Sequence, residues 1–542
     1  MERIKVQIDV NKKYQRWEGF GTSLMWWANA IKGFEQIPAT AEGKEKGYSN
    51  RYDELMNLLF DPEKGLGINI VRYNVGGGDC KDLDFISRSG ARIPGYLEET
   101  GAYHWDADYM QLKVLQDSYA MIKETQQNFY NTVFSVSPPY FWTYSGSSTG
   151  SVDGRDDNLR WDCYEQFVNY FLNVASFIQD KLQIPITEIE PVNEPTSGYW
   201  VYGSQKQEGC QFNRYPTPYK HQEYYDSSKD PYDPEKYSAL NKIYEMVGKE
   251  LANRQRQGGL RGVTITGTDE TDIDEAILSF MALSDEAKAC LSKISTHEYK
   301  GSKRLELKEL ASRYHKKLWM SEVSYGGGVW NPDAMDQGCF HLSRDIQRDL
   351  YEMGVTGWVA WQGIESLGEN LLWNSNWGFI HCLYEEPVWK SDIEDDEAGK
   401  ENFGMNPKQY CINTRHCLTP EDIQKKGYQR GDFFLTKQYY VWGQYTKFIK
   451  ENYYIIDVSD TNFVAAVSPQ GDIVIVVTNE GEEAKEYHID FPNAGEIISI
   501  SGTRTSETEK WDVIDEGVHY GIGWIECTAA PRSVSTFQIR KL

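Results

Sequence analysis

Two glutamates of this sequence each lie at the end of a short apolar run that is typical of a buried strand. Glu194 follows Asn193 in the stretch EPVNEP, and Glu322 ends the stretch LWMSE. Two carboxyl groups at one site can share acid–base and nucleophilic chemistry if one is protonated while the other is ionised. Because the two residues are distant in the chain, this chemistry depends on a fold that brings both strand ends together.

Eight apolar runs rich in β-branched residues precede residue 363. They cover residues 18–24, 67–75, 132–137, 186–193, 262–268, 293–299, 317–323 and 355–362. Helical patterns separate them, at residues 108–127, 161–182, 234–254, 303–315 and 339–353. Strands and helices that alternate in this way predict an α/β fold, the parallel (β/α)8 TIM barrel. A doubly wound open sheet is the alternative, and the sequence lacks the Gly-rich phosphate loop that would favour it.

The pattern changes after residue 383. Residues 384–432 are charged and irregular, as in SDIEDDEAGKEN, and we interpret them as an insertion ahead of a last barrel helix at 433–450. Beyond that helix, apolar and polar residues alternate between turn residues, which predicts an appended antiparallel β-sandwich.

The N-terminal stretch at 3–10 alternates in the same way and is expected to join the sandwich. The predicted domains are therefore a catalytic (β/α)8 barrel over residues 11–450 and a β-sandwich side domain made of residues 1–10 plus 451–542. The side domain could brace the barrel or bind sugar, and bracing is the simpler expectation.

Active sites of TIM barrels lie at the carboxyl ends of the strands. The predicted fourth strand ends near Glu194 and the seventh near Glu322, so a closed barrel would place both at one pocket. Carboxyl groups about 5–5.5 Å apart suit a retaining glycosidase, in which one protonates the leaving oxygen and the other attacks the anomeric carbon. The alternative is structural, with Glu194 in an ordinary turn and Glu322 in a buried salt bridge.

Further polar and aromatic residues at the predicted strand ends could bind a substrate. They are Arg72, Asn193, His297, Tyr299, Trp361, Gln362, Trp142 and Trp27. The arginine could clamp a carboxylate or a sugar hydroxyl, the asparagine could bind a sugar 2-hydroxyl, and the tryptophans could form walls of a sugar site. Each type also has a structural alternative: an ion pair beneath the site for the arginine, a satisfied core position for the histidine and plain packing for the aromatics.

The amino-acid composition favours some classes of binding partner over others. The net charge of −25 argues against nucleic acid or an anionic membrane, because both require a basic surface. The 17 tryptophans and 36 tyrosines favour a carbohydrate partner. The sequence has no apolar stretch of ~18 residues that would predict a transmembrane helix. MERIKVQIDV contains no apolar signal region, which fits a cytoplasmic protein or a secreted one without its leader.

Neither a metal nor a cofactor is expected from the sequence. The nine cysteines are scattered, and the close pair Cys411 and Cys417 fits no common zinc spacing, so we expect mostly free, buried cysteines. Nine histidines without an HxH pair count against a metal-dependent hydrolase. Asp269 and Glu270 could hold a cation or a sugar, or could belong to the N-terminal cap of the next helix.

The order of motifs along the chain resembles glycoside hydrolase family 30. The matching stretches are WEGFGTSLMWWANA (17–30), GINIVRYNVGG (67–77), SVSPPYFW (135–142), PVNEPTSGYW (191–200), THEY (296–299), LWMSEVS (318–324), WVAWQGIE (358–365) and KQYYVWGQYTKFIK (437–450). Within the family, GSQKQEGCQF (203–212) and the WWA of the first motif resemble the endo-β-1,6-galactanases.

The resemblance implies a retaining mechanism with Glu194 as acid/base and Glu322 as nucleophile. It also implies an oligo- or polysaccharide substrate of β-linked galactose, such as the β-1,6-galactan side chains of arabinogalactan. The alternatives are another family specificity (β-glucosyl, β-xylosyl or β-fucosyl) and a non-catalytic carbohydrate-binding protein on the same barrel. SPPYFWTYSG and the insertion at 384–432 depart from those galactanases.

Overall fold

After one N-terminal strand, eight parallel strands close into a barrel in the computed structural model of the protein. The structure describes residues 3–204, 206–217, 228, 233, 236–326, 331–369, 377–385, 426–492 and 495–541. The strands are β1 (Ile4–Arg16), then β2 (Gly19–Ser23), β3 (Ile70–Asn74), β4 (Tyr130–Phe134), β5 (Glu188–Glu190), β6 (Thr264–Glu270), β7 (Leu291–His297), β8 (Lys317–Val323) and β9 (Gly357–Ala360). Each barrel strand overlaps one of the eight predicted runs, so the predicted TIM barrel is confirmed.

Every barrel strand pairs in parallel with its neighbours in sequence, and β2 pairs with β9 to close the ring. Most of the strand residues are buried on both faces, which explains why they read as continuous apolar runs rather than as alternating ones. Gly357 is required at the closure, because a Cβ there would lie 2.6 Å from the ring of Trp319.

Helices cover the outside of the barrel. The described helices are α1 (Trp27–Ala30), α2 (Ala41–Glu45), α3 (Arg51–Phe60), α4 (Tyr109–Glu124), α5 (Tyr164–Ser176), α6 (Ala239–Arg256), α7 (Ile273–Ala282), α8 (Asp285–Cys290), α9 (Arg304–Arg313), α10 (Gln337–Arg348) and α11 (Lys437–Thr446). Single π-helical turns follow two of them, at Phe177–Lys181 and Asp349–Met353. Among the described helices, none is long and apolar enough to cross a membrane.

The last barrel helix is shorter than predicted. Phe433–Leu435 form a strand, β12, in a small sheet with β10 (Ile364–Ser366) and β11 (Ile380–Cys382). The prediction of a helix from 433 was wrong, because Thr436 caps α11 by accepting the Tyr439 N–H at 3.4 Å. Most of the insertion predicted at 384–432, with Cys411 and Cys417, lies outside the described residues. The other seven cysteines lie within the described part of the chain, and all of them are free.

The C-terminal strands build a second, largely antiparallel sheet domain. They are β13 (Tyr454–Val458), β14 (Phe463–Val467), β15 (Ile473–Asn479), β16 (Lys485–Asp490), β17 (Ile497–Thr505), β18 (Lys510–Val513), β19 (His519–Gly521), β20 (Trp524–Ala529) and β21 (Ser533–Lys541). Their order is β18-β17-β21-β15-β14-β13-β1-β16-β20-β19. They enclose an apolar core separate from that of the barrel, so the predicted sandwich-type domain is confirmed.

The N-terminal strand β1 lies between two strands of this side domain. It pairs in parallel with β16 through Ile4–Gln7 and antiparallel with β13 from Ile8 to Arg16. The strand therefore extends beyond residue 10, and the predicted domain limits stay a prediction.

Hydrogen bonds fasten the side domain to helix α11. The Lys437 ammonium donates to the carbonyl oxygens of Ser506 (2.6 Å) and Glu509 (2.8 Å). The Trp511 indole donates to the Tyr440 carbonyl at 2.6 Å. Because α11 packs on the barrel wall, these contacts brace the barrel from one side.

Candidate active site

The barrel brings the two glutamates of the opening motifs together. Glu322 is the sixth residue of β8, and Glu194 follows the end of β5 by four residues. One oxygen of each carboxyl group and one nitrogen of His297 all lie within 4.8 Å of one another. All three side chains are buried. Parallel strands of a closed barrel end at one rim, which is why residues so distant in the chain meet there.

Two donors hold the Glu322 carboxylate. Arg72 donates from Nη1 to Oε2 at 2.9 Å, and the Tyr299 hydroxyl donates to Oε1 at 2.9 Å. His297 Nδ1 lies 3.5 Å from the same Oε1. Charge-assisted donors stabilise a carboxylate in its ionised form. The two donors therefore orient the Glu322 carboxyl group at the rim of the barrel.

Glu194 has a different environment. Its closest charged partner is His297, whose Nδ1 lies 3.0 Å from Oε1. Burial raises the pKa of Glu194, and the nearby charge of Glu322 adds to this, whereas His297 opposes it. The two carboxyl groups thus differ in their partners, and Glu194 is the one that burial favours in its protonated form.

The backbone at Glu194 is left-handed, with φ at +43°. Its N–H donates to the Asp269 carbonyl at 2.7 Å, and its own carbonyl accepts from the Trp200 indole at 3.1 Å. A left-handed conformation costs a non-glycine residue about 1–3 kcal/mol and persists where its surroundings determine it. The two hydrogen bonds supply that constraint and fix the carboxyl group over the barrel.

Asp269 links the groups on which both glutamates depend. Its Oδ2 accepts from Arg72 at 2.8 Å, while Oδ1 accepts from the Ser321 hydroxyl at 2.7 Å and lies 3.1 Å from His297 Nε2. Burial opposes ionisation of Asp269, but Arg72 and His297 lower its pKa below its usual range. This carboxylate is therefore a fixed negative charge behind the pair.

The sequence left the role of Asp269 and Glu270 open, and the structure separates them. Helix α7 is capped by Asp272, which accepts from the Glu275 N–H, so neither residue is the cap. Glu270 faces away from the pair and accepts from the Thr196 hydroxyl at 2.9 Å. Burial raises the pKa of Glu270 to about 7.

Arg72 lies at the centre of a buried cluster of acidic and amide side chains. Besides Glu322 and Asp269, it donates to Glu190 at 3.2 Å and to Asn193 Oδ1 at 3.4 Å. Its guanidinium lies 4.1 Å from the ring centroid of Phe134, and the whole side chain is buried. Arg72 is thus the centre of a buried ion-pair cluster that includes Glu322, and Asn193 is hydrogen-bonded to it. Its predicted contact with a sugar stays a prediction.

Sequence reasoning missed two buried acids near the site. Glu190 ends β5 and pairs with Arg72. Glu208, in the QEGC stretch, accepts from the Asn74 amide at 3.3 Å and the Gly77 N–H at 3.0 Å. Burial raises the pKa of Glu208 well above its usual range. The alternation of EIE (188–190) was a signal for Glu190, because it places Glu188 and Glu190 on one face of the strand.

Trp26, Trp27 and Trp361 are all buried, in two different apolar clusters. Trp361 packs edge-on against Trp26, with ring centroids 5.1 Å apart. In the amide orientation that satisfies both of its polar atoms, Gln362 accepts from the Trp361 indole at 3.0 Å. Trp27 has no exposed surface, and its indole donates to the Ser23 carbonyl at 2.7 Å. Trp26, rather than the predicted Trp27, is therefore the residue that joins Trp361.

Trp142 is half-buried on the short helical turn Tyr140–Trp142. Its ring contacts Phe141 and Tyr170, at centroid distances of 5.3 and 6.1 Å. These contacts fit packing, and its predicted role as a wall of the sugar site stays a prediction.

A metal ion is the alternative occupant of the central cluster. Glu194, His297 and Glu322 each offer one ligand atom within 4.8 Å of the others. However, Glu322 already accepts from Arg72 and Tyr299, and burial raises the pKa of Glu194. The donors that already face Glu322, and the burial that opposes ionisation of Glu194, disfavour a cation at this place. The arrangement suits proton transfer and nucleophilic attack better.

Replacing Asp269 by Asn tests its role as a positioning residue. Asn keeps the shape but removes the charge that holds His297 and Arg72, so we expect kcat/KM to fall by about 100-fold. The pKa of His297, which Glu322 and Asp269 raise, should fall in the same variant and can be followed by NMR. Ser321→Ala removes a neutral donor to the Asp269 carboxylate and should lower kcat/KM severalfold less than Asp269→Asn does. A wild-type kcat/KM in Asp269→Asn would contradict the assignment.

The sequence is similar to a family model and to two characterised proteins. A model of O-glycosyl hydrolase family 30 matches residues 3–215. An endo-β-1,6-galactanase from Hypocrea rufa is 26% identical over 385 residues, which are 68% of this chain and 69% of that protein. An exo-β-1,6-galactobiohydrolase from Bifidobacterium longum is 25% identical over 545 residues, covering 89% of this chain and 34% of that protein.

A solved structure shares the fold. The catalytic domain of GH30 xylanase C from Talaromyces cellulolyticus superposes with a TM-score of 0.62 at 14% identity, over 99% of this chain and 100% of that one. The barrel and these matches define the class of protein, which is a glycoside hydrolase. The resemblance to glycoside hydrolase family 30 that the motifs predicted is confirmed by the family model over residues 3–215 and by these relatives.

Proposed function

We propose that the protein is a retaining β-glycosidase that cleaves β-1,6-linked galactan by a two-glutamate double displacement. The observation that carries the mechanism is the short distance between Glu194 and Glu322, oxygens of which lie within 4.8 Å. Retaining enzymes place the two carboxyl groups about 5–5.5 Å apart, whereas inverting ones separate them by about 6.5–9.5 Å to admit a water molecule.

In the first step, Glu322 attacks the anomeric carbon while Glu194 transfers its proton to the departing oxygen. Arg72 and Tyr299 donate to the Glu322 carboxylate and orient it for this attack. In the second step, Glu194 is ionised and takes a proton from water, whose oxygen displaces Glu322 from the anomeric carbon. Two inversions leave the product with the β configuration of the substrate.

His297 helps Glu194 to change from acid in the first step to base in the second. It lies 3.0 Å from Glu194 and 3.1 Å from Asp269, and the negative charges of Glu322 and Asp269 raise its pKa despite burial. A protonated imidazole stabilises Glu194 once the glutamate has given up its proton. This contact lets one carboxyl group act as acid and then as base.

The substrate assignment rests on the relatives. Two curated relatives carry names that specify β-1,6-galactan chemistry, one endo-acting and one releasing galactobiose. Their identities of 26% and 25% leave room for β-glucosyl, β-xylosyl or β-fucosyl specificity. The oligosaccharide or polysaccharide chain is the expected partner, and a non-catalytic sugar-binding role is the alternative that activity measurements separate.

Product analysis on a substrate panel tests this function. The panel contains β-1,6-galactan, de-arabinosylated arabinogalactan, β-1,6-glucan, glucuronoxylan and aryl β-glycosides, with chromatography and NMR as readouts. We expect galactobiose and longer products from the galactan, with the β anomer formed first. Cleavage confined to glucan, xylan or an aryl glycoside would overturn the substrate but keep the mechanism. An initial α anomer would overturn the mechanism itself.

A further inference from the structure

The QEGC stretch at residues 207–210 joins three of the loops that follow barrel strands. It belongs to the long loop after β5. Its Glu208 accepts from the Gly77 N–H, in the loop after β3, at 3.0 Å. The Gly209 N–H donates to the Ser148 carbonyl, in the loop after β4, at 2.8 Å. Because Glu208 has no exposed surface, its side chain serves contacts within the protein.

Within this stretch, Gly209 lies directly against the ring of Trp200. A Cβ atom at residue 209 would overlap with Cε3 and Cδ2 of that ring, so only glycine allows this close approach. The Trp200 carbonyl oxygen accepts from the Gln211 side-chain amide. A Cβ atom on Gly150 would overlap with the same oxygen. The ring and the backbone of Trp200 are therefore both enclosed, and the residue is buried.

Trp200 in turn holds the backbone of the acid. Its indole N–H donates to the Glu194 carbonyl oxygen at 3.1 Å, and the Ser197 N–H donates to the same oxygen at 3.0 Å. The backbone of Glu194 is left-handed, a conformation that persists in a non-glycine residue only where its surroundings impose it. Since the directions open to a side chain depend on the φ and ψ of its own residue, the indole contact helps to fix where the Glu194 carboxyl group points.

We propose that Trp200, seated on Gly209, is a positioning residue for the acid Glu194, and that the QEGC stretch contributes to catalysis through it. This role rests on the proposed retaining function and adds to it the element that aims the proton donor. A misplacement of a reacting group by about 1 Å can cost about 100-fold in rate. A shift of the Trp200 ring should therefore impair proton transfer although the ring contacts no reacting atom.

The dependence on the leaving group distinguishes a misaimed acid from general damage to the site. Departure of a sugar needs a proton from Glu194, whereas departure of 2,4-dinitrophenolate needs none. The ratio kcat/KM reports the loss of transition-state stabilisation relative to the free enzyme and substrate. The measurement is therefore kcat/KM of each variant on β-1,6-galactan and on the 2,4-dinitrophenyl glycosides of β-galactose and β-1,6-galactobiose.

Trp200→Phe removes the indole N–H and keeps an aromatic ring against Gly209. The Ser197 N–H still donates to the Glu194 carbonyl, so the variant should fold. We expect kcat/KM on the galactan to fall about tenfold and kcat/KM on the dinitrophenyl glycosides to change by less than about twofold.

Gly209→Ala displaces the ring instead. We expect a loss of about 100-fold on the galactan, again with little change on the dinitrophenyl glycosides. In a Trp200→Ala background there is no ring to displace, so Gly209→Ala should then cost at most about twofold more. Trp511→Phe is the matched control, because it also removes an indole that donates to a main-chain carbonyl, that of Tyr440, but in the side domain. It should leave both values of kcat/KM unchanged.

Equal losses on both kinds of substrate in Trp200→Phe would overturn the positioning role and leave the two-glutamate mechanism intact, and so would wild-type values on both. Additive losses in the double variant would overturn the action of Gly209 through Trp200. If Gly209→Ala does not fold, Trp200→Phe decides alone. Glu194→Ala is the reference for the mechanism itself. If that variant does not spare the dinitrophenyl glycosides either, the proposed function fails, and the positioning role fails with it.

Discussion

Glu322→Gln is expected to lower kcat by at least about 10⁴-fold, because an amide cannot form the glycosyl-enzyme. The folded structure should survive, since Arg72 keeps its contacts to Asp269 and Glu190 in the absence of the Glu322 charge. Initial rates on the substrate that the wild type cleaves best, together with thermal unfolding, measure both effects. Turnover within tenfold of the wild type would contradict the role of Glu322 as nucleophile.

Glu188→Gln is the matched control for this substitution. Glu188 is a buried carboxylate of the barrel too, but its partner is Lys293, at 2.7 Å, and not a residue of the candidate site. Removing one partner of a buried ion pair typically costs about 3–5 kcal/mol of stability. We therefore expect Glu188→Gln to unfold at a lower temperature while kcat changes little. The two variants should show opposite patterns, activity lost in one and stability lost in the other.

The second large effect is expected from Glu194→Ala, and its size depends on the leaving group. A sugar leaving group needs a proton, so cleavage of the natural linkage should fall by about 10²–10⁴-fold. A 2,4-dinitrophenyl glycoside needs none, so the first step should remain fast and the glycosyl-enzyme should accumulate as a burst. Azide, which needs no base, should restore turnover and give a β-glycosyl azide. Equal losses on both substrates, without azide rescue, would contradict the acid/base role.

The pH dependence supplies an independent check on the same residue. Glu194 is active as an acid only while it is protonated, so kcat/KM should fall as the pH rises through its pKa. Because burial raises that pKa, the decline should begin at a higher pH than an exposed glutamate would give. In Glu194→Ala, the alkaline limb should disappear for the dinitrophenyl substrate. A limb that persists would belong to another group, such as His297.

The barrel could be predicted because its strands are covered on both faces. Runs such as GINIVRYNV and KLWMSEV are largely apolar, and eight of them with helices between leave few other folds. The two glutamates could be predicted for the same reason, since strand ends fix where a barrel presents its side chains. The N-terminal limit of α11 depends on a single capping hydroxyl, that of Thr436, and the sequence pattern placed it too early, at residue 433.

Asp269 was harder to predict because its role arises from contacts between strands. Its partners Arg72, Ser321 and His297 lie on β3, β8 and β7, so no local pattern reports them. Its left-handed backbone, with φ at +56°, also gives no sequence signal when the residue is not glycine.

For a similar reason, the sequence did not show whether Trp26 or Trp27 packs against Trp361. The two residues are adjacent, and the backbone at Trp26 is left-handed, with φ at +61°; the ring of Trp26 packs in a small buried cluster with Trp361, and that of Trp27 in the barrel core. A sequence pattern shows that a WW pair is present but not which member packs against Trp361.

The pairing of β1 has a consequence for how the protein folds during synthesis. Residues 4–16 leave the ribosome early, but their partners at residues 454–458 and 485–490 follow only after the whole barrel. At about 5–20 residues per second, β13 is synthesised roughly 20–90 s after β1, which stays unpaired meanwhile and exposes the apolar face formed by Val6, Ile8 and Val10. The barrel strands pair with near neighbours in sequence and can close during that interval. The side domain is therefore the last part of the described chain to assemble, and it is where slow translation or a chaperone would have the greatest effect on yield.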